Sequence, residues 1–398
     1  MKRVILAMVI AAWLALFFAG VAQSQKIETV AGVRVVNNEK GGTWGSRPRL
    51  SLKLLRTFGD FDVEDEHLAF SLPSDAVLDA GGNFYVLDTN NQRIQKFGPD
   101  GKYLATIGRK GQGPGEFNYP QSFDIDAGGN LCVLEGMRKL VHVIGPDGKE
   151  LKTVRFLNDM VMSIRCPGKD TLAGTVYPMF MQLAKEKQEK TKPKLIKVFD
   201  LDGKVKQALG DQLDYGDEMS TNSANICTFD ADRNGNLYLT FVYQNRIEKY
   251  APDGKLLWKA DRPLNFSTEM IKKGKMEQSG QSMMMQSPEF NTVTSGVAAD
   301  DKGRVWVITY LRQLKKEEQV SMMMTSDMGG NVSTKASGDQ ELPIKDALKL
   351  EVFDPTGLLL GSIPLDHFAD HVRIVKDNLL LIDSERRAKV YHYKIIEN

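Results

Sequence analysis

The chain of 398 residues is 42% hydrophobic and 26% charged, so it carries enough apolar material for a large folded core. Lys and Arg together number 52 against 51 Asp and Glu, which leaves a net charge of +1 at pH 7. Proteins that hold a phosphate backbone carry a basic excess, so this balance argues against a nucleic-acid partner.

The first 24 residues have the pattern of an export signal. Two basic residues precede an apolar run over 4–18, and small residues follow. This order predicts a signal peptide over 1–24, with cleavage after Ala22 or Ser24. A retained anchor is the alternative, but the run is shorter than the roughly 20 residues of a bilayer span. No cysteine follows the run to carry a lipid, so we expect a periplasmic or secreted protein with no membrane span after processing.

Three cysteines remain in the mature chain: Cys132, Cys166 and Cys227. An odd number leaves at least one thiol without a disulfide partner, and a small disulfide-stapled fold is excluded. Each cysteine falls in or beside a predicted strand. We therefore expect buried, apolar cysteine side chains.

A repeat with a period of 47 residues is the main signal in the sequence. Pro73 and Asp79 recur as Pro120 and Asp126, each 47 positions later. Gly, Asn and Asp in both copies supply the positive φ angles and local hydrogen bonds of tight turns. A period of this length predicts a β-propeller blade. In the first blade we predict strands over 76–79, 84–87, 93–97 and 103–107.

The same pattern predicts six blades, numbered 1 to 6 in chain order. The last blade lacks an outer strand, whereas residues 55–59 match the outer strand at 104–108 and belong to no blade of their own. We therefore predict an all-β, six-bladed propeller over 51–398, closed by an N-terminal strand that completes the last blade. Residues 25–50 are predicted to form a tail that packs outside the ring.

Three motifs of this chain resemble NHL repeats: Asp88-x-x-Asn91-x-Arg93-Ile94, the Phe-x-Pro-Asp-Gly turn at 97–101, and the glycine-rich segment 108–120. The resemblance covers residues 52–395 and implies a six-bladed propeller. NHL propellers serve as binding platforms, as extracellular sensor domains and, in some relatives, as enzymes. The resemblance therefore implies a fold and leaves the function open.

Three long insertions interrupt the short turns, at 179–194, 261–292 and 311–347. Two join the second and third strands of a blade, and one is a crossover between blades. All three are therefore predicted on the same face of the ring. Long loops on a rigid scaffold usually carry its function, so this face is the predicted working face.

Two methionine triplets lie in these insertions: Met283, Met284 and Met285 in one, and Met322, Met323 and Met324 in the other. Three interpretations of these triplets are open. The methionines could pack the insertions onto the propeller, form an adaptable apolar patch for a peptide or lipid, or hold Cu(I) through their thioethers.

Three of the five histidines are predicted on the same face beside blade 6: His67, His367 and His371. Acidic residues surround them, Asp370 among them. A mixed histidine and carboxylate metal site is one interpretation, and solvated loop residues are the other, because no tight ligand spacing fixes the geometry.

The position held by Asp75 in blade 1 decides between two classes of function. Six-bladed lactonases and peptidylglycine lyases hold an ion in the central channel, which needs several oxygen ligands from different blades. In blades 2 to 5 the equivalent residues are Ser122, Met162, Thr228 and Gly296. This ring is poor in ligands, and Asp75 and Ser122 remain candidate binding residues.

We therefore favour a non-catalytic binding or scaffold propeller. It would present a groove on the working face to a protein, peptide or glycan. A metal-dependent hydrolase or lyase is the alternative, and a divalent metal belongs to that alternative only. We otherwise predict no cofactor, and we expect a monomer.

Overall fold

The computed structural model describes residues 25–38, 41–45, 47–60, 63–176, 193–279, 282–326 and 332–398. Six four-stranded antiparallel blades form a ring, which confirms the predicted six-bladed propeller. None of the helices in these ranges is both long and apolar enough to cross a membrane.

The strands follow one another in a regular order. Three precede the first blade: β1 (Gln25–Val30), β2 (Val33–Asn38) and β3 (Leu50–Phe58). Blade 1 contains β4 (Pro73–Leu78), β5 (Phe84–Asp88), β6 (Arg93–Phe97) and β7 (Tyr103–Ile107). Blade 2 contains β8 (Ser122–Ile125), β9 (Leu131–Glu135), β10 (Leu140–Ile144) and β11 (Glu150–Arg155), with a 3-10 turn at Gly136–Arg138. Blade 3 contains β12 (Val161–Gly168), β13 (Thr171–Val176), β14 (Lys194–Asp200) and β15 (Val205–Asp211).

A short helix, α1 (Glu218–Ala224), leads into blade 4, which contains β16 (Cys227–Ala231), β17 (Leu237–Phe241), β18 (Ile247–Tyr250) and β19 (Leu256–Ala260). A hairpin of β20 (Lys275–Ser279) and β21 (Ser282–Gln286) follows. Blade 5 contains β22 (Thr294–Ala299), β23 (Val305–Tyr310), β26 (Leu348–Phe353) and β27 (Leu359–Pro364). Between β23 and β26 lie a 3-10 turn (Lys316–Glu318) and a second hairpin, β24 (Ser321–Ser326) with β25 (Val332–Ser337). Blade 6 contains β28 (His371–Val375), β29 (Asn378–Asp383) and β30 (Lys389–Glu397).

The repeated Asp and Asn residues close the turn between the first two strands of a blade. In blade 1, Asp79 accepts hydrogen bonds from the backbone and the side-chain amide of Asn83, at 2.9 and 2.7 Å. Gly82, in the same turn, has φ +80°, which residues with a side chain rarely adopt. Blades 2 and 4 repeat this arrangement, so these aspartates serve the turn.

Apolar side chains from neighbouring blades form the cores between them. Phe58 of β3 stacks on Phe84 of blade 1, with ring centroids 4.3 Å apart, and Phe97 packs beside both. Burying rings of this size contributes roughly 1.5–3 kcal/mol each. The blades therefore hold one another in place through shared cores.

Strand β3 closes the ring. It pairs antiparallel with β30, from Leu50 opposite Glu397 to Phe58 opposite Val390. It thereby becomes the outer strand of blade 6, which confirms the closure predicted from the sequence.

The strands β1 and β2 form a hairpin on the outside of blade 4. Strand β2 pairs in parallel with β19. At its end the buried Asn38 donates to the backbone carbonyls of Asp261 and Gly357 and accepts from the Leu359 amide, so it joins blades 4 and 5. Trp44 then packs on Gly361, where a Cβ atom would lie 2.2 Å from the indole ring.

All three cysteines are free thiols in strands. Cys132 is buried in the core between blades 2 and 3, and Cys166 packs against that core. Cys227 is half-buried, at the start of β16. They contribute mainly as small apolar side chains.

Candidate binding site on the top face

The top face of the ring carries the turns between second and third strands and the crossovers between blades. The insertions at 261–292 and 311–347 rise from this face, because they occupy those connections. Nearly all of the predicted insertion at 179–194 lies outside the described residues. The two described insertions each contain one hairpin, β20–β21 and β24–β25.

The β24–β25 hairpin of blade 5 extends over the top face to blades 1 and 2. Asn90, in a turn of blade 1, donates to the Thr334 carbonyl at 3.0 Å and accepts from its amide at 3.2 Å. The Tyr119 hydroxyl lies 2.6 Å from the Thr334 hydroxyl, and Asn118 accepts from the Val332 amide. Blades 5 and 2 face each other in a six-membered ring, so the hairpin passes close to the axis.

One methionine triplet lies on this hairpin and faces solvent in part. Met323 and Met324 of β24 are 67% and 48% exposed, while Met322 is half-buried. Among the described residues, β24 pairs only with β25. The other triplet, Met283, Met284 and Met285, lies in β21, and its side chains are outside the described part of the chain.

A network of buried charges occupies the axis. Arg165 of blade 3 donates to Asp75 of blade 1 at 3.3 Å and to Asp230 of blade 4 at 3.0 Å. Arg373 of blade 6 donates to Asp124 of blade 2, and its Nε lies 3.9 Å from Asp75.

The network reaches all six blades, because Asp230 also accepts from the Ala299 amide of blade 5 at 2.9 Å. Ser122 lies beside Asp75 and accepts from the Ile164 amide. Burial disfavours the charge on Arg373, but the carboxylates around it outweigh burial and raise its pKa. Two guanidinium groups therefore stand among three carboxylates, where a cation would otherwise sit.

Sequence alignment of the blades found only part of this network. It placed Met162 at the blade 3 position, whereas Arg165 is the residue whose side chain reaches Asp75. It also passed over Asp124, Asp230 and Arg373. Their signal was present, because each is the one Asp, Glu, Lys or Arg in its short inner strand.

His371 and Asp370 meet at the top end of the axis. His371 Nδ1 lies 2.7 Å from Asp370 Oδ1, and the imidazole is 46% exposed. The other oxygen of Asp370 accepts from the backbone amide and the hydroxyl of Ser384, which fixes the carboxylate. Burial lowers the pKa of His371, but the bond to Asp370 and its charge outweigh burial and raise it.

The other predicted histidines have different partners. His67 stacks on Tyr103, at the outer strand of blade 1, with centroids 3.5 Å apart. His367 stacks on Tyr391 and bonds Tyr393 at 2.8 Å. The structure therefore brings together only His371 and Asp370 of the four residues. Within the described ranges, no three His, Cys, Asp or Glu side chains are grouped as metal ligands.

The family described as DUF5128, a 6-bladed beta-propeller, matches residues 71–295, more than half of the chain. The chain belongs to this family. The match agrees with the ring of six blades, while the resemblance to NHL repeats stays a prediction. A comparison with curated proteins found no match.

Three solved structures are similar to this DUF5128 chain at low sequence identity. A member of the DUF4221 family from Bacteroides vulgatus has a TM-score of 0.55 at 10% identity, over 88% of this chain and 99% of that one. A Bacteroides fragilis protein described as exported has 0.49 at 10% identity, over 92% and 99%. A gluconolactonase from Xanthomonas campestris has 0.45 at 15% identity, over 88% and 99%. At these identities the likeness concerns the fold alone.

Proposed function

We propose that this chain is an exported binding propeller that captures an extended polypeptide on its top face. The single observation that carries the proposal is the β24–β25 hairpin, held over the top face by blades 1 and 2. A hairpin fixed in this way offers a preformed partner to another chain, so binding orders little of the protein.

The geometry of β24 favours an extended polypeptide as the ligand. One edge of β24 pairs with β25, and no described strand pairs with the other. An unpaired edge presents backbone donors and acceptors to an added strand. Met323 and Met324 flank that edge with flexible apolar side chains, which adapt to different partner residues.

A peptide array with N-methylated controls tests this proposal. Purified mature protein would be applied to unstructured eight-residue peptides. For each peptide that binds, copies methylated on alternate backbone nitrogens would be compared. Strand addition predicts that one methylation register abolishes binding and the other does not, because alternate amides face the partner strand.

The variant M323S/M324S should weaken the same peptides about tenfold or more, with an unchanged melting temperature. A matched control is L151S, which changes an exposed leucine on the outer strand of blade 2. Peptide binding that is weakened neither by backbone methylation nor by M323S/M324S would contradict the proposal. Binding of soluble glycans in place of peptides would also contradict it.

Export is a separate part of the proposal. It is supported by the pattern of residues 1–24, which lie outside the described structure. N-terminal sequencing of protein recovered from the periplasm or medium should begin after Ala22 or Ser24. An intact Met1 on exported protein would contradict cleavage.

A second candidate function is a metal-dependent hydrolase or lyase. The observation that favours it is His371, whose solvent-facing ring is oriented by Asp370 near the axis. The paired axial carboxylates weigh against it, since their oxygens already bond Arg165 and Arg373. Elemental analysis of the purified protein and of H371N separates the two: a stoichiometric metal lost in the variant would favour the enzyme.

A further inference from the structure

A cavity of about 190 Å³ lies between the blade 5 insertion and blade 6, apart from the edge of β24. Its apolar walls are Leu342 and Ile344 from the insertion and Phe368 from the crossover between the blades. Ile344 and Phe368 are buried, and Leu342 is half-buried. The cavity is large enough for a ligand the size of benzene and offers it an apolar surface.

Three cations line this cavity, and Arg386 is the buried one, while Arg387 and Lys389 are half-buried. Arg386 is only 2% exposed, and its guanidinium lies over the Phe368 ring, 5.2 Å from the centroid. Nη1 donates to the Asp339 carbonyl at 3.3 Å. Nη2 is fully buried and makes no hydrogen bond within the described chain. A buried donor on a charged group is costly to leave unbonded, so this atom favours an acceptor in the cavity.

The carboxylates nearby do not replace that acceptor. Asp383 also lines the cavity, but its Oδ1 accepts from the backbone amides of Arg386 and Arg387. Burial raises its pKa to about 7, and the Asp370 charge adds to that effect. The remaining acidic residues of the wall, Asp366 and Glu341, are exposed.

His367 completes the wall as an uncharged, fixed ring. Its Nδ1 donates to the Phe368 carbonyl at 2.9 Å, and its Nε2 accepts from the Tyr393 hydroxyl at 2.8 Å. Burial lowers its pKa. The interior of the cavity therefore combines one buried cation, apolar and aromatic walls, and no competing positive charge from this histidine.

We propose that this cavity binds a small organic carboxylate, with its charged group on Arg386 and its apolar body against Phe368 and Ile344. The proposal is independent of peptide capture at β24. The planar guanidinium suits a carboxylate because it offers parallel N–H donors. The apolar walls favour a carboxylate with a hydrocarbon body over a bare inorganic anion.

Titration calorimetry with benzoate, benzamide and inorganic phosphate tests the proposal on the mature protein. Benzoate should bind saturably at one site. Benzamide has the same shape without the charge and should bind at least about tenfold more weakly, as should phosphate, which lacks the apolar body.

Two variants locate the site. R386Q removes the buried cation and should weaken benzoate at least about tenfold. L342W fills the cavity from its half-buried wall and should block benzoate while Arg386 is retained, so it decides the matter if R386Q fails to fold. R155Q, at an exposed arginine on the rim of blade 2, is the matched control and should bind as the parent does.

Loss of benzoate binding in R386Q or L342W, with binding retained in R155Q, supports the assignment. Absence of saturable benzoate binding would overturn it. Equal binding of phosphate and benzoate would overturn the assignment to a carboxylate with an apolar body.

Discussion

At the scale of single residues, the most consequential feature is the charged network at the axis. Removing ions from water costs several kcal/mol each, and only close pairing offsets that cost. Arg373 is 5% exposed and contacts carboxylates of two other blades. Each member of the network is therefore needed by the others.

Replacing Arg373 with Met should destabilise the protein by about 3–5 kcal/mol, because Asp124, only 13% exposed, loses its guanidinium partner and keeps the Cys166 amide. Urea unfolding at neutral pH measures this loss. K102M removes an exposed lysine paired with Asp100 and should leave stability close to that of the parent, because solvent screens an exposed pair. Equal, small losses in both variants would show that the axial pairs add little to stability.

The half-buried Glu385 should make stability depend on pH. Burial and the Asp370 charge raise its pKa from 4.5 to about 7. Folding therefore favours the protonated form. That contribution is complete below pH 4.5 and is lost as the pH rises through about 7.

The variant E385Q cannot ionise, so its stability should increase relative to the parent between pH 4.5 and 7 and then level off. Thermal melts across this range measure the difference. The control E317Q, on an exposed 3-10 turn, should show the same change of stability with pH as the parent. A constant offset between E385Q and the parent would contradict the prediction.

The turn aspartates and the axial residues show which roles the sequence predicts and which it does not. Asp79 and its counterparts were assigned correctly to turns, because the repeat makes their role periodic. The axial residues are different, since each blade contributes a different side chain and no period relates them. Their meeting depends on small register shifts, such as the one between Arg165 and Gly168.

At the scale of elements, the β24–β25 hairpin is the feature that the sequence did not predict. Its insertion was expected on the top face, but its direction is set by contacts with blades more than 200 residues away in sequence. The side-chain amide of Asn90 makes the pair of hydrogen bonds that a neighbouring strand would make, because it donates to the Thr334 carbonyl and accepts from the Thr334 amide.

Replacing Asn90 with Ala should loosen the hairpin without unfolding the ring. Hydrogen exchange at residues 332–337 should become faster by about tenfold or more, because two bonds are lost together. The melting temperature should change little, since the blade cores do not involve Asn90. N291A, which removes a bond to the Ser267 carbonyl in the other described insertion, is the control. Unchanged exchange in N90A would mean that other contacts hold the hairpin.

At the scale of the whole molecule, closure by β3 determines whether blade 6 has an exposed edge. The strand β30 pairs with β29 on one side and β3 on the other. The repeat period and the missing outer strand of blade 6 were enough to predict this closure from the sequence.

Removing residues 25–58 should expose the edge of β30 and cause aggregation, measured by size-exclusion chromatography and light scattering. Removing only 25–38 takes away the β1–β2 hairpin and spares closure, so that variant should remain soluble with a lower melting temperature. A monomeric, parent-like protein lacking 25–58 would show that closure is dispensable.

Closure also sets an order of events in time. Strand β3 leaves the ribosome, and in an exported chain would cross the membrane, long before its partner β30. It must stay unpaired until more than 300 further residues have emerged, since Leu50 lies opposite Glu397. Blades 1 to 5 can form by local pairing in the meantime, whereas blade 6 waits for both ends of the chain. The slowest step of folding should therefore be the arrival of β3 at β30, and the unpaired strand in that interval is the stage at which a chaperone would be most needed.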